Sequence, residues 1–198
     1  VGADGATHQM MEDIAMMRAT PNIKVIVPCD ALEAERATHA IAKIKGPCYL
    51  RLGRGKEPVI TTQETPFEIG KAVTLKDGTD VTIIACGVMV QYSLQAAEEL
   101  NKQGISVKVI NMHTIKPIDT MATVEAAKTG PILTVEEHQI NGGMGSAVAE
   151  VVTQHFPTKM KIMGMPDSFG ESGKPLELLK KYGLTSEDII GEVKELLK

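Results

Sequence analysis

The segment from Asp80 to Ile110, DVTIIACGVMVQYSLQAAEELNKQGISVKVI, decides the fold. It opens on a β-branched run, Asp80 to Ala85, which reads as a strand. After Cys86-Gly87 comes Val88 to Gln103, where apolar residues recur at helical spacing and Glu98 stands one turn ahead of Lys102. Gly104 marks the stop, and a second strand-like run, Ser106 to Ile110, follows. A strand, a helix and a strand in this order form a βα unit. Its two strands run parallel, because the helix carries the chain back across the sheet.

The same alternation extends in both directions. Lys24 to Val27, Cys48 to Leu52, Ile132 to Val135 and Lys161 to Met163 read as further strands. Asp30 to Ile44 reads as a helix with Asp30 as N-cap and Glu33 completing a variant capping box, and Gly46-Pro47 ends it. Ser146 to Phe156 and Thr185 to Leu197 are further helical patterns, the last with Thr185 as cap and Asp188 at N3. Near the start, Thr7 can cap a helix beginning at Gln9 or Met10. The fold class is therefore α/β, with a mainly parallel sheet covered on both faces.

One stretch breaks the alternation. Gly55 to Pro66, GKEPVITTQETP, is polar, carries two prolines and reads as a linker. It divides the chain into residues 1–57, a linker at 58–67 and residues 68–198. The first piece holds only two strands and two helices, too little for a doubly wound sheet of its own. It is expected to be the latter part of a partial doubly wound parallel domain, followed by a complete C-terminal α/β domain.

Composition excludes several classes. The chain has 198 residues, 43% hydrophobic and 23% charged, with net charge -4. No basic block offers a footprint for nucleic acid, and no apolar run is long enough to span a membrane. Cys29, Cys48 and Cys86 are odd in number, form no CxxC and lie beside apolar runs, so free thiols in a reducing compartment are expected. With no Trp and few other aromatics, the eleven Met are read as core filling.

Four groups of residues could carry chemistry. Asp4 and His8 flank a glycine-containing turn ahead of a helix; they could hold sugar hydroxyls, or merely stabilise the turn and decorate the helix start. Arg51 and Arg54 sit at a strand end, where an arginine fork suits a phosphate or is simply a surface residue. Glu136, Glu137 and His138 precede Gly142, Gly143 and Gly145. That turn matches neither the dinucleotide fingerprint nor the P-loop, so it reads first as close packing of strand and helix, and a metal site there lacks a second histidine. Asp167 to Gly173, DSFGESG, reads as a structural loop, and His39, His113 and His155 as structural histidines.

Taken in order, DGATHQMMED, GPCYLRLGRG, IKPID, ILTVEEHQINGGMGSAVAE and DSFGESG resemble the C-terminal part of a transketolase over essentially the whole chain. The DGxTHQ segment is the most specific element and favours transketolase over deoxyxylulose-phosphate synthases and 2-oxo-acid dehydrogenase β subunits. The resemblance makes residues 1–57 the second half of the pyrimidine-binding domain and residues 68–198 the C-terminal domain. It implies that Asp4 and His8 contact hydroxyls of a sugar phosphate and that Arg54 binds its phosphate, whereas Arg51 is not the matched position. It further implies a complete enzyme that transfers a two-carbon ketol unit, uses thiamine diphosphate and a divalent metal (Mg or Ca), and works as a cytoplasmic homodimer with an N-terminal section or subunit. The catalytic glutamate and the diphosphate domain would lie upstream of Val1. The chain alone is therefore expected to hold no cofactor and to be inactive. The rival expectation is a non-catalytic dimerisation or regulatory module from the same enzyme class.

Overall fold

The computed structural model describes residues 9–53, 55 and 57–198. The first part contains helix α1 (Asp13–Ala19), strand β1 (Lys24–Ile26), helix α2 (Ala31–Ile41) and strand β2 (Cys48–Leu50). β1 and β2 pair in parallel, with Lys24 opposite Cys48 and Ile26 opposite Leu50. After a stretch without regular elements come β3 (Val73–Lys76), β4 (Val81–Ala85), α3 (Met89–Lys102) and β5 (Val107–Asn111). Then follow β6 (Thr114–Lys116), α4 (Thr120–Thr129), β7 (Ile132–Gln139), α5 (Met144–His155), β8 (Met160–Met165), α6 (Pro175–Lys181) and α7 (Ser186–Leu196).

The larger sheet has the order β3-β5-β4-β7-β8. β4 pairs in parallel with β5 and β7, β7 with β8, and only the edge strand β3 is antiparallel. Side chains alternate across a strand, and β4 shows the consequence. Val81, Ile83 and Ala85 enter one core with Leu100, Ile189 and Val193 from α3 and α7. Ile84 and Cys86 enter the other with Ala126 of α4 and Val148 of α5. That second core also contains Ile14 and Val25 from the first part of the chain.

β6 ties the two parts together by hydrogen bonds. It leaves the larger sheet and pairs antiparallel with β1, giving a three-stranded sheet of order β2-β1-β6. The Val27 amide donates to the His113 carbonyl at 2.7 Å, extending that join.

Several local expectations change. α1 begins at Asp13 rather than at Gln9 or Met10, and Glu12 in its N-cap position makes no side-chain cap; Thr7 lies outside the described residues. Asp30 caps α2 as expected, but the Glu33 carboxylate turns to the Cys29 amide at 2.7 Å and the Asn111 side-chain amide at 2.8 Å instead of closing a box. Lys102 pairs with Glu99, not Glu98. The polar connection is tied down: Asp30 accepts from the Ile60 and Thr61 amides, and Arg36 donates to the Thr62 and Thr65 carbonyls. The Thr185–Asp188 capping box forms. All three cysteines are free, with Cys29 and Cys86 buried and Cys48 half-buried.

Candidate functional site

In the larger sheet the chain runs from β4 outward to β5 on one side and to β7 on the other. The crevice at the carboxyl ends of β4 and β7 is thus the place where open α/β sheets receive ligands. Here it receives α1 and the end of β2. Of the residues singled out for sugar phosphate, Asp4, His8 and Arg54 lie outside the described residues. Arg51, their neighbour in sequence, is described.

Arg51 is engaged internally. Its Nε donates to Asp13 Oδ2 at 2.8 Å, and the Tyr49 hydroxyl donates to the same oxygen at 2.7 Å. A second arginine nitrogen reaches the Met10 carbonyl at 3.3 Å. The alternation of β2 would turn Arg51 and Tyr49 to one face, since they stand two apart. Asp13, in the first turn of α1, is where a carboxylate is favoured by the helix dipole, yet it is only 4% exposed. A carboxylate so buried needs a paired cation, and Arg51 supplies it. Burial pulls the guanidinium pKa down, but the charge of Asp13 and its hydrogen bond outweigh this and the net shift is upward. The Tyr49 hydroxyl is pushed up to about 12, first by burial and then by Asp13. Asp13 Oδ1 has no hydrogen-bond partner among the described residues and lies 3.9 Å from His138 Nε2.

His138, at the end of β7, is fully buried. Nδ1 lies 2.7 Å from the Gln139 carbonyl, which can only accept, so Nδ1 carries the proton. Nε2 is then free to accept, and it accepts from the Ala15 amide at 3.3 Å. This satisfies one of the amides that a helix leaves unpaired in its first turn. Burial, the largest influence, lowers the His138 pKa and keeps the ring neutral.

Glu136 and the glycine turn form one unit. The Glu136 carboxylate accepts from the Met144 and Gly145 amides, at 2.7 and 2.8 Å, at the N-terminus of α5. Burial nevertheless pushes Glu136 up to about 7, against the pull of these two amides and of Arg51 and Arg18. A Cβ on Gly143 would run into the Glu136 carboxylate and would lie 2.6 Å from His138 Nδ1. The expectation of close strand–helix packing therefore holds, and the carboxyl group this turn holds is the protein's own. Glu137 alternates to the other face, where it borders a cavity of about 90 Å³ with Met11, Met165, Leu178 and Tyr182. Gly170, Glu171 and Gly173 complete that wall, so the DSFGESG loop, expected to be merely structural, lines a pocket.

The far end of α1 is also held by the later part of the chain. Lys116 of β6 donates to the Arg18 and Thr20 carbonyls at 2.8 and 2.6 Å. Arg18 donates to the Gly142 carbonyl at 2.6 Å and pairs with Glu150 at 2.8 Å. Sequence reasoning missed the roles of Asp13, Tyr49, Lys116 and Arg18. Only the pairing of a buried-type Asp with an Arg at a strand end could have pointed to the first.

Among the described residues no group of three or more His, Cys, Asp or Glu could hold a metal ion. The one glycine-rich helix N-terminus with the form of a phosphate cradle spends its amides on Glu136. The described residues thus do not fit a metal–diphosphate group.

Fold and site together define an α/β protein in which a small mixed sheet and a larger, mainly parallel sheet share one core. Residues 70–189 match the family model described as transketolase, C-terminal domain, and residues 1–58 match that of the transketolase pyrimidine binding domain. The chain belongs to the transketolase family. It is 46% identical to a Methanocaldococcus jannaschii protein assigned as a transketolase C-terminal section, over 100% of this chain and 63% of that protein. It is 41% identical to the 6-deoxy-6-sulfo-D-fructose transketolase subunit of Clostridium sp. (strain MSTE9), over 98% of this chain and 60% of that subunit. The solved structure of a split gene transketolase, titled an inactive β4 tetramer, superposes with a TM-score of 0.87 at 43% identity, covering 97% of this chain and 62% of that one. The chain therefore spans about three-fifths of the length of these relatives. The family implies use of thiamine diphosphate by the complete enzyme.

Proposed function

We propose that this chain is the C-terminal section of an enzyme that transfers a two-carbon ketol unit from a ketose phosphate to an aldose phosphate. The observation that carries this reading is the match of two consecutive transketolase domain models to residues 1–58 and 70–189. In this reading residues 1–57 complete the pyrimidine-binding domain, residues 58–67 link, and residues 68–198 form the C-terminal domain. Asp4 and His8 hold sugar hydroxyls and Arg54 the phosphate. Thiamine diphosphate and a Mg or Ca ion are held mainly by an N-terminal section, in a cytoplasmic homodimer or larger assembly.

The chain alone is proposed to be inactive. The described residues lack a fitting diphosphate site, and a β4 tetramer of the related split gene transketolase is described as inactive. Sugar chemistry is supported by relatives named for apulose-4-phosphate and for 6-deoxy-6-sulfo-D-fructose. The test is a ketol-transfer assay with a ketose phosphate donor and an aldose phosphate acceptor, run on the chain alone and on the complete enzyme that carries it. Product only from the complete enzyme supports the reading. Product from the mass-verified chain alone refutes the inactivity, and product from neither refutes the assigned reaction.

A further inference from the structure

Arg51 follows β2 and stands three residues ahead of Arg54, the residue assigned above to the sugar phosphate. It does not reach outward: Nε is spent on Asp13 and a second nitrogen on the Met10 carbonyl. The ion pair is largely withdrawn from water, with side-chain exposures of 18% for Arg51 and 6% for Asp13. Tyr49 donates to the same carboxylate oxygen, so one side chain of β2 and the residue just after it grip one residue of α1. Asp13 is held in turn from the far side, because His138 of β7 accepts from Ala15, two residues further along α1. The Gln139 amide adds a bond to the Met11 carbonyl at 2.8 Å. Met10 and Met11 are thus held at consecutive carbonyls, one by Arg51 just after β2 and one by the end of β7.

The covalent neighbours of this clasp are the residues assigned to the sugar phosphate. Met10 follows His8 by two positions, and only Leu52 and Gly53 separate Arg51 from Arg54. Successive Cα atoms are about 3.8 Å apart, so at most about 8 Å of chain separates Met10 from His8 and about 11 Å separates Arg51 from Arg54. We propose that Arg51 is a positioning residue for the sugar-phosphate site, locking the segment that follows Asp4 and His8 to the strand end that leads to Arg54 through its joint grip on Asp13 and Met10. This rests on the ketol-transfer reading. It assigns Arg51 no contact with the substrate. It also gives the C-terminal domain a share in the site, since His138 and Gln139 hold the same helix start.

The chemistry distinguishes a clasp from a generic buried pair. Arginine presents two donors in a fixed fork, one for the carboxylate and one for the carbonyl, which lysine does not reproduce. Removing the fork frees both segments while leaving the cofactor-bearing section untouched, so substrate affinity falls rather than the chemical step.

Two measurements test this. The first is hydrogen exchange on the chain alone, which needs no activity. In Arg51→Met, amides of residues 10–13 and 51–53 are expected to exchange about tenfold faster or more, while α7 amides keep their protection. Unchanged exchange in those two segments overturns the proposal. Should Arg51→Met also lose protection in α7, Asp13→Asn, nearly isosteric and retaining Arg51, is read in its place by the same criterion.

The second is steady-state kinetics on the complete enzyme. Arg51→Met is expected to raise KM for the sugar phosphate by about 10- to 100-fold with kcat within about threefold. Asp13→Asn should do the same, and the double variant should be no worse than the poorer single variant. An unchanged KM, a fall confined to kcat, or effects of the two substitutions that multiply would each overturn it. Absence of ketol transfer in the unsubstituted complete enzyme would sink the functional reading instead, and the exchange measurement would still decide the clasp.

Discussion

Gly143, the N-cap of α5, stands against Glu136 and His138 of β7, and these neighbours are ionisable. A side chain there would strike the Glu136 carboxylate and press on His138. Gly143→Ala is therefore expected to destabilise the fold by about 1–3 kcal/mol, the usual range for overpacking, measured by urea unfolding. Glu136 makes a second prediction, on pH. Its folded pKa of about 7 is raised above its ordinary value of 4.5, so the folded state holds the proton more tightly than the unfolded one. Its stabilising contribution is complete below about pH 4.5 and is lost as pH rises to 7, with an upper bound of about 3 kcal/mol. His138 acts oppositely: burial lowers its pKa, so its own contribution grows as pH rises through the ordinary histidine range. The two lie 3.8 Å apart, so their opposite contributions have to be separated by substitution. Comparison with Glu136→Gln isolates the first. From pH 5 to pH 8 the unsubstituted chain should lose more stability than the variant, and equal losses would rule out a raised Glu136.

At the scale of elements, the helices depend on bonds that reach beyond their own sequence. Thr185 and Asp188 cap α7 locally, so Thr185→Ala should cost about 1 kcal/mol. Asp30 caps α2 and also accepts from the Ile60 and Thr61 amides and the Thr61 hydroxyl. Those bonds outweigh the effect of burial and hold its pKa below the ordinary aspartate value. Asp30→Ala should therefore cost clearly more than Thr185→Ala in the same unfolding assay, and an equal cost would show that the connection is not held by this carboxylate. This difference marks what the sequence could disclose. The Asp30 and Thr185 caps, the strands at Lys24, Val81 and Ile132, and the helix after Gly87 were legible because their signals are local. β6 was not, because Thr114–Lys116 is short and forms only by pairing with β1. α4 was missed because its TMATVEAAKT sequence is rich in β-branched residues, and its start is set by Asp119 alone. α1 was placed too early because its first turn is completed by His138, more than a hundred residues away. Of the candidate site, the residue types were legible and the clasp was not, for the same reason.

The whole molecule is joined in a way that its linear order conceals. β6 belongs by sequence to the later part but completes the sheet of the first. Ile14, Val25 and Val27 share one core with Ile84, Cys86, Ile115 and Val148, so apolar burial crosses the boundary as hydrogen bonds do. Lys116 adds a polar lock, since its ammonium satisfies the last carbonyls of α1. Two parts joined only by a linker would unfold in separate steps; parts that share a core and a sheet should unfold together. Urea unfolding followed by circular dichroism is expected to show one transition, with Tyr49 fluorescence for the first part and Tyr182 fluorescence for the last moving at the same midpoint in variants that keep one or the other. Lys116→Met should shift both midpoints equally, because the lock it removes is common to both. Two separated midpoints, or a shift confined to the Tyr49 signal, would show instead that the first part folds on its own terms and that the shared core contributes little to holding the units together.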